Sequence, residues 1–444
     1  MTKNLFGTDG IRGRTNTYPI DAETLLKIGI SVGSVIGKKL ENPKVIIGKD
    51  TRRSGYMVEN ALTAGLISMG WNVNLLGPLP TPAVSFLTKS LRADLGIMIS
   101  ASHNPYEDNG IKFFDRNGLK LDDNIEGEIS KEVKRPPNLI EPNYLGRANR
   151  INDVLGRYTE FAKTTVSSDL RLDDLRVLVD CANGAAYKLI PQTISELGGE
   201  VITLAVSPNG FNINKDCGST HPERAQQAVL DEKADLGLCF DGDADRVLLI
   251  DEKGKIADGD QVMALIAKSW SAKGSLKKNT VVSTVMSNLA FELFLKNIGV
   301  KLIRTDVGDR HVSERMLAGG LNLGGEQSGH VILSDFSNTG DGLITSLQIL
   351  SILRNSKKRA SEVLNLFNPF PQKLINLDPG KCNDFLEDEL TKKKLLDIEK
   401  GIQKEGRILI RKSGTEDLIR LMVEHNDQSK LEETLESCLN ALRK

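Results

Sequence analysis

The sequence is poor in most of the signals that mark a specialised chain. Aromatic residues make up only 5% of its 444 positions, and 58 basic against 59 acidic side chains leave a net charge of -1. With no excess of either sign, no global field draws nucleic acid or an anionic membrane, so an anionic ligand must be gripped locally. The five cysteines (Cys181, Cys217, Cys239, Cys382 and Cys438) are odd in number, scattered and without a Cys-x-x-Cys pair. That argues against a disulfide framework or a zinc site and for reduced thiols. No run approaches the ~18 apolar residues of a spanning helix, and Met1 to Gly13 has no apolar stretch of signal-peptide length. A cytoplasmic protein with neither nucleic-acid nor membrane partners is the expectation.

What is present is ordinary globular material, 39% hydrophobic and 26% charged. The chain is longer than the ~250 residues at which single cores stop growing, and ~150 per domain predicts three or four domains. From Lys44 onward, β-rich runs alternate with helical patterns: Val45 to Gly48, Met57 to Gly70, Val73 to Leu76 and, after a proline-rich turn, Leu95 to Ser100. Such alternation marks βαβ units around a mostly parallel sheet. It recurs from Val177 to Phe240, with Pro222 expected in a first helical turn, and again from Gln261 to Leu317. Prolines cluster at Lys134 to Asn143 and Asn368 to Gly380, the second marking a break. After it come a charged helix Asp384 to Lys400, strands Arg407 to Ile410 and Leu418 to Glu424, and a helix Lys430 to Leu442. The expected class is α/β: three similar α/β domains with mixed, mostly parallel sheets (1–150, 151–255, 256–368), then a smaller α+β C-terminal domain (369–444).

Two segments follow apolar strands and carry chemistry. Ile99-Ser100-Ala101-Ser102-His103-Asn104-Pro105 puts Ser102 in a loop at a strand's carboxyl end, where open α/β sheets place their ligands. A serine hydroxyl needs a base or nearby cations, which His103 and Lys112 could supply, although the same residue types build plain turns. In Asp241-Gly242-Asp243-Ala244-Asp245-Arg246, carboxylates at i, i+2 and i+4 can wrap one hard cation in oxygen ligands. An EF-hand loop fits less well, because Arg246 occupies the required glycine and a strand replaces the exiting helix. An aspartyl phosphatase with Asp241 as nucleophile leaves Ser102 unexplained, and a solvated acidic turn is the remaining alternative.

Three further segments are less specific. Arg411-Lys412-Ser413-Gly414-Thr415-Glu416, with Arg420 beyond, offers hydroxyls, backbone N–H groups and guanidinium forks suited to a phosphate, without the spacing of a P-loop. In Gly325-Glu326-Gln327-Ser328-Gly329-His330, an extended backbone would aim Glu326 and Ser328 the same way, toward adjacent sugar hydroxyls. A hydrogen-bonded turn and a structural His330 are the alternatives. Phe6-Gly7-Thr8-Asp9-Gly10-Ile11-Arg12-Gly13 suggests backbone held close to a ligand with one arginine aimed at it, or a simple hairpin turn. Lys49-Asp50-Thr51-Arg52 and Gly308-Asp309-Arg310 are slighter candidates.

Taken together, in this order and one per domain, these segments resemble the α-D-phosphohexomutase family over essentially the whole chain. The N-terminal segment and Gly-Glu-Gln-Ser-Gly-His are most like its glucosamine-phosphate branch. The resemblance implies that Ser102 is a phosphoserine and that Asp241, Asp243 and Asp245 bind one Mg2+ together with a Ser102 phosphoryl oxygen. It implies Arg12, Lys112, His103 and His330 near the reacting oxygens, Arg246, Glu326 and Ser328 at the sugar, and Arg411, Ser413, Gly414, Thr415 and Arg420 on the distal phosphate. The implied reaction interconverts glucosamine 6-phosphate and glucosamine 1-phosphate through a hexosamine 1,6-bisphosphate, which also serves as activator, and feeds UDP-N-acetylglucosamine synthesis. Mannose or glucose phosphates as substrates, a magnesium-dependent sugar-phosphate hydrolase and a non-catalytic sensor remain alternatives. Monomer or homodimer is open. The family's phosphate loop usually carries prolines where Lys412 and Asp417 stand here, which predicts a looser loop by ~0.5 to 1 kcal/mol each.

Overall fold

Continuous apolar runs such as Val45-Ile46-Ile47 and Leu178-Val179 cannot alternate inward and outward, so they form strands covered on both faces. In the computed structural model, which describes all residues except 1–4, 8, 39, 383–387, 404, 413–417 and 444, they are the centres of sheets. The first sheet contains β1 (Ile11–Arg14), β2 (Lys44–Lys49), β3 (Asn72–Pro78), β4 (Leu95–Ile99), β5 (Asp108–Asp115) and β6 (Ala148–Arg150), ordered β1-β5-β4-β2-β3-β6. The second holds β7 (Arg176–Asp180), β8 (Glu200–Leu204), β9 (Leu236–Phe240), β10 (Val247–Asp251) and β11 (Ile256–Ala257), ordered β11-β10-β9-β7-β8. The third has β12 (Thr280–Thr284), β13 (Lys301–Thr305), β14 (Leu323–Gly325) and β15 (Val331–Leu333), ordered β13-β12-β14-β15. The fourth, β16 (Gln372–Leu377), β17 (Gly406–Lys412) and β18 (Ile419–His425), is antiparallel with β18 central.

One topological device repeats in the first three sheets. A parallel core ends in a strand that turns back as an antiparallel neighbour: β4 into β5, β9 into β10, β14 into β15. The three reversals carry Ser102, the aspartates and Glu326 to His330 respectively, and β17 into β18 carries the Arg411 segment. Three α/β domains with mixed, mostly parallel sheets and a smaller last domain are thus the architecture, as the alternating pattern predicts.

The first three domains share one buried apolar cluster running from Ile46 through Val179 to Leu350, whereas Leu421, Leu431, Leu435 and Cys438 form a separate core in the fourth. The fourth is tied on largely by polar contacts: Arg407 donates to the carbonyls of Val285 (2.8 Å) and Ser287 (2.5 Å), and Glu424 accepts from Leu289 N–H at 2.7 Å. Among the described residues no helix is long and apolar enough to cross a membrane.

Several elements differ from the sequence reading. The helix Ala22–Gly37 has no counterpart in it, because Gly29, Gly33 and Gly37 dilute its pattern; yet glycine is what the packing needs. A Cβ on Gly29 would stand 2.7 Å from the Leu62 carbonyl oxygen, and one on Gly65 would stand 2.6 Å from that of Leu26. The expected proline-rich turn before Leu95 contains the helix Thr81–Ser90, with Pro82 in the first turn where a missing N–H costs nothing. Pro222, by contrast, is the residue just before its helix. The break at Asn368 to Gly380 contains β16, whose flanking prolines hid a six-residue edge strand. The charged helix is observed as Glu389–Ile402, and most of its expected first turn lies outside the described residues.

Candidate active site

The first reversal is held open by an arginine. Arg52, fully buried, donates to the carbonyls of Ser102 (2.9 Å), Asn104 (2.8 Å), Asp108 (3.1 Å) and Pro105, and its Nε pairs with Asp50 at 2.8 Å. Asp50 in turn accepts from Ser100 Oγ (2.7 Å), which accepts from Ser102 N–H (2.9 Å). This scaffold keeps Ser102 at φ 50°, a left-handed conformation that costs a non-glycine residue of order 1 kcal/mol. Asn214 of the second domain also donates to Ser102 O (2.9 Å) and Asn104 O (3.0 Å). The serine loop is therefore shaped jointly by two domains.

The second reversal meets it edge to edge. Ser102 Oγ donates to Asp241 Oδ2 at 2.5 Å, and the backbones touch so closely that a Cβ on Gly242 would lie 2.6 Å from Ser102 O. Asp241, Asp243 and Asp245 are all buried, and each offers an oxygen within 4.8 Å of the others'. Asp243 Oδ2 accepts from Thr81 (2.6 Å) and Lys112 (3.0 Å), and Lys112 also reaches Asp245 Oδ2 at 2.9 Å. One oxygen of Asp243 and one of Asp245 are left buried without a hydrogen bond. Burial, then Asp245 and Asp243, push the Asp241 carboxyl well above its ordinary pKa. Burial opposes ionisation of Asp245 too, but Lys112 and then His330 hold it well below the usual range. Three convergent buried carboxylates, two of them with oxygens that take no hydrogen bond, are the donor set a divalent cation needs. The residues fit a metal; the EF-hand reading does not, since β10 replaces the exiting helix.

Around this centre stand the cations. Arg12 on β1 pairs with Asp9, and Lys112 on β5 is 3.3 Å from the same carboxylate. Burial lowers and the carboxylates raise the Lys112 pKa, with a net shift well upward through Asp243, Asp245 and Asp9. His103 Nδ1 is 3.4 Å from Ser102 Oγ; burial, then Arg246 and Arg12, lower its pKa to about 4, so it is uncharged at neutral pH. A neutral His103 can serve the serine oxygen as a base and not as a cation.

The third reversal is a tight turn in place of the expected extended segment: Gly329 N–H donates to Glu326 O at 3.0 Å and Glu326 N–H to His330 O at 2.9 Å. Glu326 and Ser328 nonetheless line one cleft of about 640 Å³ with His103 and Arg246. His330 is buried, its Nδ1 3.6 Å from Asp245 and its Nε2 3.5 Å from Asp309. Burial lowers its pKa, yet Asp245, Asp309 and Glu326 outweigh that and raise it. Gly340 N–H donates to Nε2 at 3.1 Å, which fixes the Nδ1–H tautomer when the ring is neutral.

On the fourth sheet Arg411 and Arg420 are cross-strand partners. Like charges directly opposite repel, and Arg411's pKa is lowered by burial and then by Arg420, with Asp306 acting the other way. Ser413, Gly414 and Thr415, and Asp417 with them, lie outside the described residues.

The structure thus brings Ser102, His103, Arg12, Lys112, Arg246, His330 and the three aspartates to one centre, with Glu326 and Ser328 on the cleft beside it. The contributions of Thr81, Lys120 and Asn214 left no signal in the sequence, and Arg52 showed only as the last residue of a polar stretch after a strand.

Models of the phosphoglucomutase/phosphomannomutase family match in order along the chain: alpha/beta/alpha domain I at residues 3–139, domain II at 156–254, domain III at 258–370 and the C-terminal domain at 376–441. The phosphoglucosamine mutase of Paracoccus denitrificans is 54% identical over 445 residues, covering 100% of both chains, and that of Zymomonas mobilis is 52% identical over 444, again covering 100% of both. Among solved structures, a phosphoglucomutase/phosphomannomutase family protein from Burkholderia thailandensis has a TM-score of 0.82 at 24% identity, covering 99% of this chain and 97% of that one. The N-acetylphosphoglucosamine mutase of Aspergillus fumigatus, solved with GlcNAc-6P and magnesium, has a TM-score of 0.68 at 18% identity, covering 98% of this chain and 95% of that one.

Proposed function

Because this chain belongs to the phosphoglucomutase/phosphomannomutase family, we propose that it is a cytoplasmic isomerase interconverting glucosamine 6-phosphate and glucosamine 1-phosphate, with Ser102 as the phosphoryl carrier. Full-length identity above 50% to phosphoglucosamine mutases supports the reaction. The observation that carries the site is the 2.5 Å contact of Ser102 Oγ with Asp241, made across two domains against carboxylates with idle buried oxygens. Five free buried cysteines agree with a reducing compartment.

In the proposed cycle the phosphoserine P–O bond breaks as a P–O bond forms to the O1 hydroxyl of the 6-phosphate, whose proton ends on the freed Ser102 Oγ, giving a 1,6-bisphosphate. The bisphosphate turns over, its 6-phosphoryl group returns to Ser102 Oγ, and the 1-phosphate leaves. Transfer through a loose transition state needs positioned charges on the equatorial oxygens and both end oxygens in line. Arg12 and Lys112, kept charged by their carboxylate partners, face those oxygens. A Mg2+ held by Asp241, Asp243 and Asp245 supplies the remaining neutralisation when bound. Uncharged His103 hydrogen-bonds the serine oxygen without competing for phosphate. Arg246, Glu326 and Ser328 orient the sugar from the cleft wall. Arg411 and Arg420, with Ser413, Gly414 and Thr415, take whichever phosphate is not reacting. A bisphosphate lost from the cleft would have to be resupplied, hence its role as activator.

Incubation with glucosamine 6-phosphate, Mg2+ and a trace of bisphosphate tests the reading. A mutase yields the 1-phosphate, a hydrolase free phosphate, and a sensor neither; rates on glucose and mannose phosphates then decide between the branches of the family.

A further inference from the structure

Among the cations buried around the reaction centre, Lys120 has no part in the cycle above. It follows β5, and its Nζ lies 2.6 Å from Asp9 Oδ1 and 2.5 Å from Asp309 Oδ2, with only 19% of the side chain exposed. Asp9 belongs to the first domain, and its other oxygen takes Arg12 and stands 3.3 Å from Lys112. Asp309 opens the helix Asp309–Gly319 of the third domain, and the same oxygen that receives Lys120 faces His330 Nε2 at 3.5 Å. One ammonium group is thus shared by two carboxylates, one pairing with Arg12 and near Lys112, the other standing beside His330.

The neighbouring residues repeat the link in the opposite sense: Arg310 reaches back to the Leu121 carbonyl (2.5 Å), Glu126 (3.1 Å) and Asp123 (2.7 Å). Burial opposes ionisation of all three groups, yet Lys112, Lys120 and Arg12 hold Asp9 well below its usual range, Lys120 holds Asp309 below, and the two carboxylates raise Lys120. Lys120 does not line the sugar cleft. It lines a second cleft, of about 600 Å³, between the first and third domains.

We propose that Lys120 is a positioning residue for phosphoryl transfer, its double ion pair holding Arg12 and Lys112 of the first domain in register with His330 of the third. This rests on the mutase reading of the site. Without the ammonium group, Asp9 and Asp309 would face each other as underpaired buried carboxylates, and the contact between their domains would open. A displacement of about 1 Å costs on the order of 10²-fold in rate. The loss falls on kcat, because neither the cleft walls nor the three aspartates touch Lys120.

Steady-state kinetics of Lys120→Met, Lys120→Arg, Asp309→Asn and the Lys120→Met/Asp309→Asn pair, with thermal melts, test this. The expected results are a kcat about 30-fold or more below wild type for Lys120→Met and about 10-fold for Asp309→Asn, with KM within about threefold. The double variant is expected to be little worse than Lys120→Met alone, because the two residues act as a unit, and Lys120→Arg to recover most of the loss. A folded Lys120→Met with wild-type kcat, losses that multiply in the double variant, or a loss confined to KM would overturn the proposal. If Lys120→Met does not fold, Asp309→Asn decides alone, and an unchanged kcat there overturns it. Wild-type protein that makes no 1-phosphate refutes the mutase reading itself, whereas active wild type with unimpaired variants refutes only the brace.

Discussion

Gly242→Ala probes the docking of the first two domains with a single methyl group. A Cβ at this position would sit 2.6 Å from Ser102 O, 2.8 Å from Ile213 Cδ1 and 2.9 Å from Asn214 Nδ2. Carbon and oxygen in ordinary contact are separated by roughly 3.3 Å or more, so the serine loop must retreat by about 0.5 to 1 Å; overpacking of this kind costs about 1 to 3 kcal/mol. The atoms in the way are those that define the site: the Ser102 carbonyl is fixed by Arg52, and Asn214 is the second domain's hold on the same loop. Moving them withdraws Ser102 Oγ from Asp241, now at 2.5 Å. Misplacement of this size is worth on the order of 10²-fold in rate. The variant should therefore remain folded with a modestly lower melting temperature and lose about 30- to 100-fold in kcat for glucosamine 6-phosphate, followed by phosphorus NMR. Activity within threefold of wild type would refute the claim that the two loops form one rigid site.

Two other outcomes follow from the same geometry. Asp260, buried behind the loop that receives the fourth domain, has its carboxyl pKa raised to about 7 by burial and then by Asp258. The folded state thus holds this proton at a pH where the unfolded state has released it, so the group's contribution to stability falls as pH rises from about 4 to about 7 and stays lost above. In Asp260→Asn that decline disappears, and denaturant titrations should show the variant gaining on wild type by at most about 3 kcal/mol between pH 5 and pH 8; a constant difference contradicts the assignment. Arg411→Ala removes one guanidinium of the facing pair; KM for the sugar phosphate should rise by about 10- to 100-fold with kcat changed far less, and an unchanged KM would contradict a phosphate-gripping role.

Much of this centre was legible from residue order. Ser102 and the three aspartates each follow a buried apolar strand, and both loops are found at strand ends as that pattern implies. The pairing of each such strand with an antiparallel return was not visible, because β5 mixes polar and apolar residues in a buried setting and β14 and β15 are only three residues long. The roles of Arg52, which showed only as part of a slight candidate segment, and of Asn214 and Lys120, which did not show at all, were hidden for a different reason. Their work is done on backbone carbonyls or carboxylates between 50 and 189 positions away, as Arg52 with Ser102 and Lys120 with Asp309 illustrate, and nothing local encodes such a contact. His103 shows the same limit in charge: its ordinary pKa lies close to neutrality, and the burial and arginines that push it down to about 4 cannot be read from the residues beside it.

The most direct measurement is phosphoryl transfer to the protein itself. Wild type turning over radiolabelled bisphosphate should carry label on Ser102 and make the 1-phosphate, whereas Ser102→Ala, folded by its melting curve, should carry none and lose mutase activity by several orders of magnitude. A folded Ser102→Ala that keeps full mutase activity would contradict the phosphoserine mechanism.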